Sequence, residues 1–355
     1  MKPTYRRILI SRMKFIGDIV LTTPLIRSVR LAFPGAYIAY MGDSAAVTLL
    51  ERNPWLDEII PFDFSKPTLL EQPRVSWLLR GRRFDLAIDL FGNPRSALLM
   101  YLSGAKKRVG PHRSGRGLLY TIRVSDDGRP KTAIAFHNQY LEAAGIEPVA
   151  SGTEIFLTEK ERKEGREEVA RALGDPSFCD PARRVIGIHP GATWPAKKWF
   201  PERFAGLADA IHEKHRIPVV VTAGPRDAAS IDAVRRAVHA PFALIPELPL
   251  RRLAAVIAGC SAFVSNDAGP MHIAAAVGTP TLGIFGPGEE NIWFPYSHGD
   301  GHTALRRDVP CHPCHLDVCN REGNGFMECM RLLTIDAVLS AVEQVLLQNR
   351  RPPAH

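Results

Sequence analysis

The stretch Arg7-Ile8-Leu9-Ile10-Ser11-Arg12-Met13-Lys14-Phe15-Ile16-Gly17-Asp18-Ile19-Val20-Leu21-Thr22-Thr23-Pro24 decides the fold. Arg7 to Ser11 is a short apolar run that reads as a buried strand. Gly17 permits a tight turn, and Asp18 stands where a helix cap belongs, so the reading continues as a helix over Asp18 to Ala32. The same strand-turn-helix pattern recurs outward. Ala36 to Met41, Glu58 to Phe62 and Leu86 to Leu90 read as strands, each followed by a helical or loop segment. Strands alternating with helices predict a parallel sheet covered on both faces.

Charged, helix-favouring sequence from Thr158 to Leu173 gives way to Gly174-Asp175-Pro176 and Asp180-Pro181, which reads as a linker. A second alternating series follows. Strands are expected at Val185 to His189, Pro218 to Thr222, Phe242 to Ile245, Ala262 to Ser265 and Thr281 to Phe285. Helices are expected at Pro201 to Lys214, Arg226 to Val238, Leu250 to Ala258 and Gly269 to Val277. A loop-rich stretch from Gly286 to Met330 precedes a last helix, Ile335 to Leu347. The expected organisation is a first domain over residues 1–175 and a second over 176–330. A C-terminal helix and tail fill 331–355, the helix packing back on the first domain. Two doubly wound domains of this kind bind ligands at the carboxyl ends of their strands, in a cleft between them.

The 355 residues suffice for two cores, and 45% hydrophobic with 23% charged residues is a globular balance. The longest apolar run, Leu253 to Val264, is too short to span a bilayer and contains Gly259 and Ser261. Arg12 and Lys14 interrupt the N-terminal apolar residues before a secretory signal could form, so a cytoplasmic location is expected. The formal charge of +8 favours an anionic partner, with basic residues crowding the first half from Arg80 to Arg123. No nucleic-acid-binding motif with interleaved aromatics accompanies them, and no nucleic acid is expected. A phosphorylated glycolipid at the inner membrane face, touched peripherally, fits the charge; a merely solvated basic face is the plain alternative.

Several chemistries are excluded by what is missing. The chain has no G-x-G-x-x-G after a strand, no G-x-x-x-x-G-K-[ST] and no G-x-S-x-G elbow. It also has no D-x-D that could hold a divalent ion on a donor pyrophosphate. Cys311, Cys314, Cys319 and Cys329 are spaced so that a metal or simply reduced thiols are both open readings.

Three strand-to-helix loops carry candidate chemistry. In the first, Asp18 is either a helix cap or a general base acting on an acceptor hydroxyl. The second, His189 to Trp199, is a small-residue loop with Lys197 and Lys198 ahead of a helix. It is either a plain basic loop or a diphosphate site, to which Thr193 adds a hydrogen bond. The third, Ser265 to His272, puts Pro270 in a first helical turn, with Gly269 leaving amides open and His272 able to turn toward a ligand. That Asp18, Lys197 and Asp267 should all lie at one end of their sheets is the stronger argument.

At these segments the chain resembles glycosyltransferase family 9, the lipopolysaccharide heptosyltransferases. The run from Ile16 to Pro24 is similar to the family's N-terminal signature, and His189 to Trp199 and Asn266 to His272 to its two donor-site signatures. The resemblance implies an α/β fold of GT-B architecture, two doubly wound Rossmann-like domains facing a central cleft. It implies an inverting, metal-independent transfer of heptose, with no cofactor. The implied partners are ADP-heptose or a related nucleotide-sugar, and an acidic glycolipid such as Kdo–lipid A or core oligosaccharide. Asp18 matches the family's general base, with Gly17 and Arg12 on the acceptor side. Lys197 matches the lysine that stabilises the donor phosphates, with Lys198 beside it. Thr193, Asp267, Gly269 and His272 match the donor pocket, and Leu248 falls in the segment bordering the adenine. Ala268 stands where the family often has Thr, and Asp227 where a ribose-binding Glu is common. Another nucleotide-sugar, or an epimerase or hydrolase of the same architecture, is the alternative.

Overall fold

The computed structural model describes residues 4–113 and 115–348, which form two compact units divided between Phe156 and Leu157. The first unit runs β1 (Arg7–Ser11), α1 (Ile16–Val20), α2 (Thr23–Ala32), β2 (Tyr37–Asp43), β3 (Glu58–Phe62), α3 (Thr68–Arg82), β4 (Leu86–Asp89), α4 (Pro94–Leu102), β5 (Lys107–Pro111), β6 (Ile122–Val124) and α5 (Ala133–Ala143). Its strands form one parallel sheet in the order β3-β2-β1-β4-β5-β6. Ile8, Leu9 and Ile10 of β1 are fully buried, as befits a central parallel strand covered on both faces.

The helix expected over Asp18 to Ala32 is two helices. The Thr22 hydroxyl donates to the Ile19 carbonyl at 2.7 Å, and that of Thr23 to the Val20 carbonyl at 2.8 Å. In a continuous helix Val20 would receive the N–H of residue 24, but that residue is proline. The threonine side chain takes the orphaned carbonyl, and a new helix starts with Pro24 in its first turn. β5 and β6 were hidden within the basic run. Tyr120 reaches the backbone of β5 at Gly110, where a Cβ would lie 2.3 Å from its ring.

The second unit runs α6 (Glu159–Leu173), β7 (Ile186–His189), α7 (Pro201–His215), β8 (Val219–Thr222), α8 (Ala228–Ala237), β9 (Phe242–Ile245), α9 (Leu250–Ala258), β10 (Ala262–Asn266), α10 (Gly269–Ala276), β11 (Thr281–Ile284), α11 (Glu290–Trp293), β12 (Thr303–Leu305), α12 (Glu328–Arg331) and α13 (Ile335–Gln348). Its sheet is again parallel, in the order β12-β11-β10-β7-β8-β9. The loop-rich stretch after Gly286 also supplies an edge strand, β12, paired with β11.

The structure moves the boundary expected at residue 175. α6 belongs to the second unit because its buried face, Gly165, Val169 and Ala170, lies against α9. Arg251 pairs with Glu161, and Arg252 with Glu168 at 2.7 Å. The Gly174 segment read as a linker is the cap of α6, with Gly174 at φ 69°. The expected docking of the last helix on the first domain is also corrected. Val338, Val342 and Val345 of α13 are buried in the second unit's core, and Glu343 pairs with Lys214 and His215 of α7, each at 2.7 Å. The tail, residues 349–355, lies outside the described residues.

Candidate functional site

In each sheet the chain leaves its first strand in one direction and later returns to the other side. The point of reversal falls between β1 and β4 in the first unit, and between β7 and β10 in the second. Loops diverge there at the carboxyl ends of parallel strands, opening the crevice where such folds bind ligands.

In the first unit Arg12, Gly17 and Asp18 come together at that point. The Arg12 guanidinium donates to the Leu90 carbonyl just beyond β4 at 2.8 Å, lies 5.0 Å over the Phe91 ring and pairs with the Asp18 carboxylate at 2.5 Å. The other Asp18 oxygen accepts from the Phe15 N–H at 3.4 Å; the cap of α1 is therefore Phe15, and Asp18 reaches back to it from the first turn instead of standing at the cap itself. Both charged side chains keep some contact with solvent, 12% for Asp18 and 15% for Arg12. Gly17 is buried. Beneath them the Tyr40 hydroxyl meets Thr22 at 2.9 Å, and His137 is buried against the Leu21 carbonyl at 3.3 Å. Burial pushes the His137 pKa down to about 4, and the Arg12 charge adds to this. Asp89, at the end of β4, is buried and raised in pKa for the same reason, although Tyr120 donates to it at 2.6 Å.

In the second unit the two lysines separate. Lys197 crosses the reversal point to pair with Asp267 at 2.5 Å and stands 4.5 Å over the Trp194 ring. Lys198 turns the other way, its Nζ 3.5 Å from the Ser230 hydroxyl on α8. Thr193 accepts from Arg226 at 3.2 Å. Asp227 is buried. It accepts from the Gly224 N–H at 2.9 Å and lies 3.5 Å from His189, whose other ring nitrogen meets Thr222 at 3.1 Å. Burial holds the His189 pKa below its usual value, although the nearby Asp227 carboxylate opposes this. Ala268 caps α10 in an extended conformation with no side-chain bond, and Gly269 begins the helix ahead of Pro270, which has no N–H, and Met271, whose N–H donates to the Ala268 carbonyl at 3.1 Å. His272 bonds the Tyr296 hydroxyl at 2.7 Å. Leu248, beyond β9, is half-buried against the core that includes Val220 and Ile245.

A profile for glycosyltransferase family 9 (heptosyltransferase) matches residues 74–323. The chain belongs to glycosyltransferase family 9. It is 30% identical over 308 residues to lipopolysaccharide heptosyltransferase 2 of Salmonella typhimurium, covering 82% of this chain and 86% of the relative. A solved family 9 glycosyltransferase of Veillonella parvula superposes with a TM-score of 0.83 at 25% identity, covering 98% of this chain and 99% of the other. The Escherichia coli ADP-heptose lipopolysaccharide heptosyltransferase II superposes at 0.79 with 23% identity, covering 98% and 100%. The protein is thus a glycosyltransferase with the paired doubly wound sheets of the GT-B architecture.

Three features of this family 9 enzyme were not singled out from sequence. Asn266 is fully buried at the end of β10. It accepts from the Trp199 N–H at 3.0 Å and donates to the Pro190 carbonyl at 2.9 Å, clamping the lysine loop at both ends. At Gly191 a Cβ would lie 2.1 Å from the Asp227 carboxylate, and at Gly288 one would lie 2.8 Å from that of Asp267. The available signal was Asn266 itself, since a strand-end amide in an apolar run must find buried partners. Cys311, Cys314, Cys319 and Cys329 form no disulfide, and partial burial pushes the half-buried Cys329 thiol up to about 11, with the other three sulfurs adding to the shift. Among the described residues no group of three or more His, Cys, Asp or Glu is placed to hold a metal ion.

Proposed function

We propose that this enzyme transfers a heptose from ADP-heptose to the inner core of lipopolysaccharide by a single inverting displacement that needs no metal. The observation that carries this reading is Lys197, held at the reversal point of the second sheet beside the N-terminus of α10. There a cation and the positive end of a helix converge on the space a diphosphate needs. The absence of a D-x-D motif supports lysine rather than a divalent ion as the neutralising charge. The relatives named for heptose transfer to lipopolysaccharide support the sugar and the acceptor.

In this scheme Asp18 accepts the proton of an acceptor hydroxyl while that oxygen attacks the anomeric carbon. The bond from that carbon to the diphosphate oxygen breaks on the opposite face, and ADP departs with its charge met by Lys197. Lys198, Thr193, Asp267, Gly269 and His272 shape the donor site around it, Ala268 leaving out one hydroxyl. Asp227 serves the ribose through a fixed carboxylate, and Leu248 borders the adenine. Arg12 and Gly17 face the acceptor, an anionic glycolipid that would draw the enzyme to the cytoplasmic membrane surface.

Asp18→Asn should lower transfer from ADP-heptose to Kdo–lipid A about a hundredfold while leaving ADP affinity nearly unchanged. Lys197→Ala should impair both. Near-normal turnover in Asp18→Asn would remove the base assignment, and sugar release without acceptor would point to a hydrolase.

A further inference from the structure

We propose that the outer surface of α3 and α4 is a docking surface for an anionic phospholipid bilayer. α3 and α4 cover one face of the first sheet, their inner residues Val75, Leu79, Leu99 and Met100 buried in its core. Their outer side carries apolar residues with no cover. Leu69, Leu70 and Trp77 are 87%, 68% and 82% exposed, and Leu98 and Tyr101 on α4 are 40% and 51% exposed. Leu70 and Trp77 stand about two helical turns apart and so share a face, as Leu98 and Tyr101 do about one turn apart. The amide of Gln72 donates to the Arg95 carbonyl at 3.2 Å, tying the two helices into one surface.

Charge names the occupant. Between Thr68 and Val124 the chain has eleven Lys and Arg but three acidic residues. All three are engaged by the fold: Glu71 is 1% exposed and pairs with Arg74, the part-buried Asp85 accepts from the Arg6 and Arg7 N–H groups, and Asp89 is fully buried. Arg80, Lys106 and Lys107 are exposed, and Arg80 lies over the Gly104 turn that leads to the two lysines. An apolar stripe with a tryptophan, bordered by cations and free of exposed carboxylates, suits the headgroup layer of an anionic membrane. A nucleic acid would use the cations but leave the leucines in water. A protein partner would have to match a surface of one charge sign.

The inference deepens the proposed glycolipid acceptor, since it places the enzyme where that acceptor resides, but its test needs neither sugar nor glycolipid. The full-length protein is sedimented with vesicles of phosphatidylcholine alone or containing about 30% phosphatidylglycerol, at low and high salt. The wild type should partition onto the anionic vesicles, and less so in high salt. Leu70→Ser combined with Trp77→Ser should weaken that binding about tenfold or more, as should Arg80→Glu combined with Lys106→Glu. Both pairs are at the surface, so thermal melts should match the wild type. Anionic-vesicle binding that survives the Leu70/Trp77 pair, or is lacking in the wild type, overturns the proposal. So does a change in oligomeric state as the only effect of that pair, or equal Arg80/Lys106-dependent binding to duplex RNA. Failure here leaves sugar transfer standing, and loss of transfer with intact vesicle binding leaves this surface standing.

Discussion

At the scale of single residues, both reversal points are crossed by one charged side chain that binds the opposite loop. Arg12 reaches the Leu90 carbonyl, and Lys197 reaches Asp267. Asn266 adds a neutral clamp in the second unit. Below the first pair, His137 has a thermodynamic consequence. In the unfolded chain its imidazole titrates near 6.5, whereas in the fold it stays neutral down to about 4. The sign follows from which state binds the proton first. Above pH 6.5 both states are neutral; as pH falls toward 4 only the unfolded chain gains the proton, and stability is lost. The loss over that window is about 3 kcal/mol. Urea unfolding at pH 7 and pH 4.5 should show His137→Gln losing roughly 2–3 kcal/mol less than the wild type. Equal losses in the two proteins would mean that His137 is not buried neutral.

At the scale of elements, helix packing is settled by glycines at close approach. Gly165 in α6 faces α9, where a Cβ would lie 2.1 Å from the Ala255 carbonyl oxygen. Two effects of Gly165→Ala compete. Helix propensity would favour alanine by about 1 kcal/mol. The contact is with backbone, which cannot rotate aside, and overpacking of this kind costs roughly 1–3 kcal/mol or more. The second effect should win, so Gly165→Ala should lower the melting temperature. A rise would show that α6 does not pack on α9 this closely. The split between α1 and α2 belongs to this scale too, because Thr22, Thr23 and Pro24 determine it locally.

At the scale of the whole molecule, two units with separate cores should give heat unfolding that is not a single two-state transition. Scanning calorimetry with ADP tests how ligand and unit are matched. ADP at about a hundred times its dissociation constant should add roughly 2.7 kcal/mol to the unit that binds it. The transition that moves should be the one lowered by Gly165→Ala, since α6 lies in the second unit. If ADP raises the other transition instead, the donor site has been placed on the wrong unit. UDP or GDP acting in place of ADP would keep the fold and change the sugar donor.

Much of this was fixed by local sequence. Strand positions follow from apolar runs buried on both faces, and β3, β9 and α9 lie where the residue pattern alone puts them. The loops holding Asp18, Lys197 and Asp267 follow too, because Gly, Pro and small residues between strand and helix mark them locally. Tertiary structure decided what depends on distant partners. α6 joined the second unit because Gly165 fits α9, and α13 stayed there because its valines fill that unit's core. β12 became a strand through pairing with β11, which three residues could not announce by themselves. The partners of Arg12, Lys197 and Asn266 lie on strands far along the chain, and local periodicity carries no record of which strand ends become neighbours.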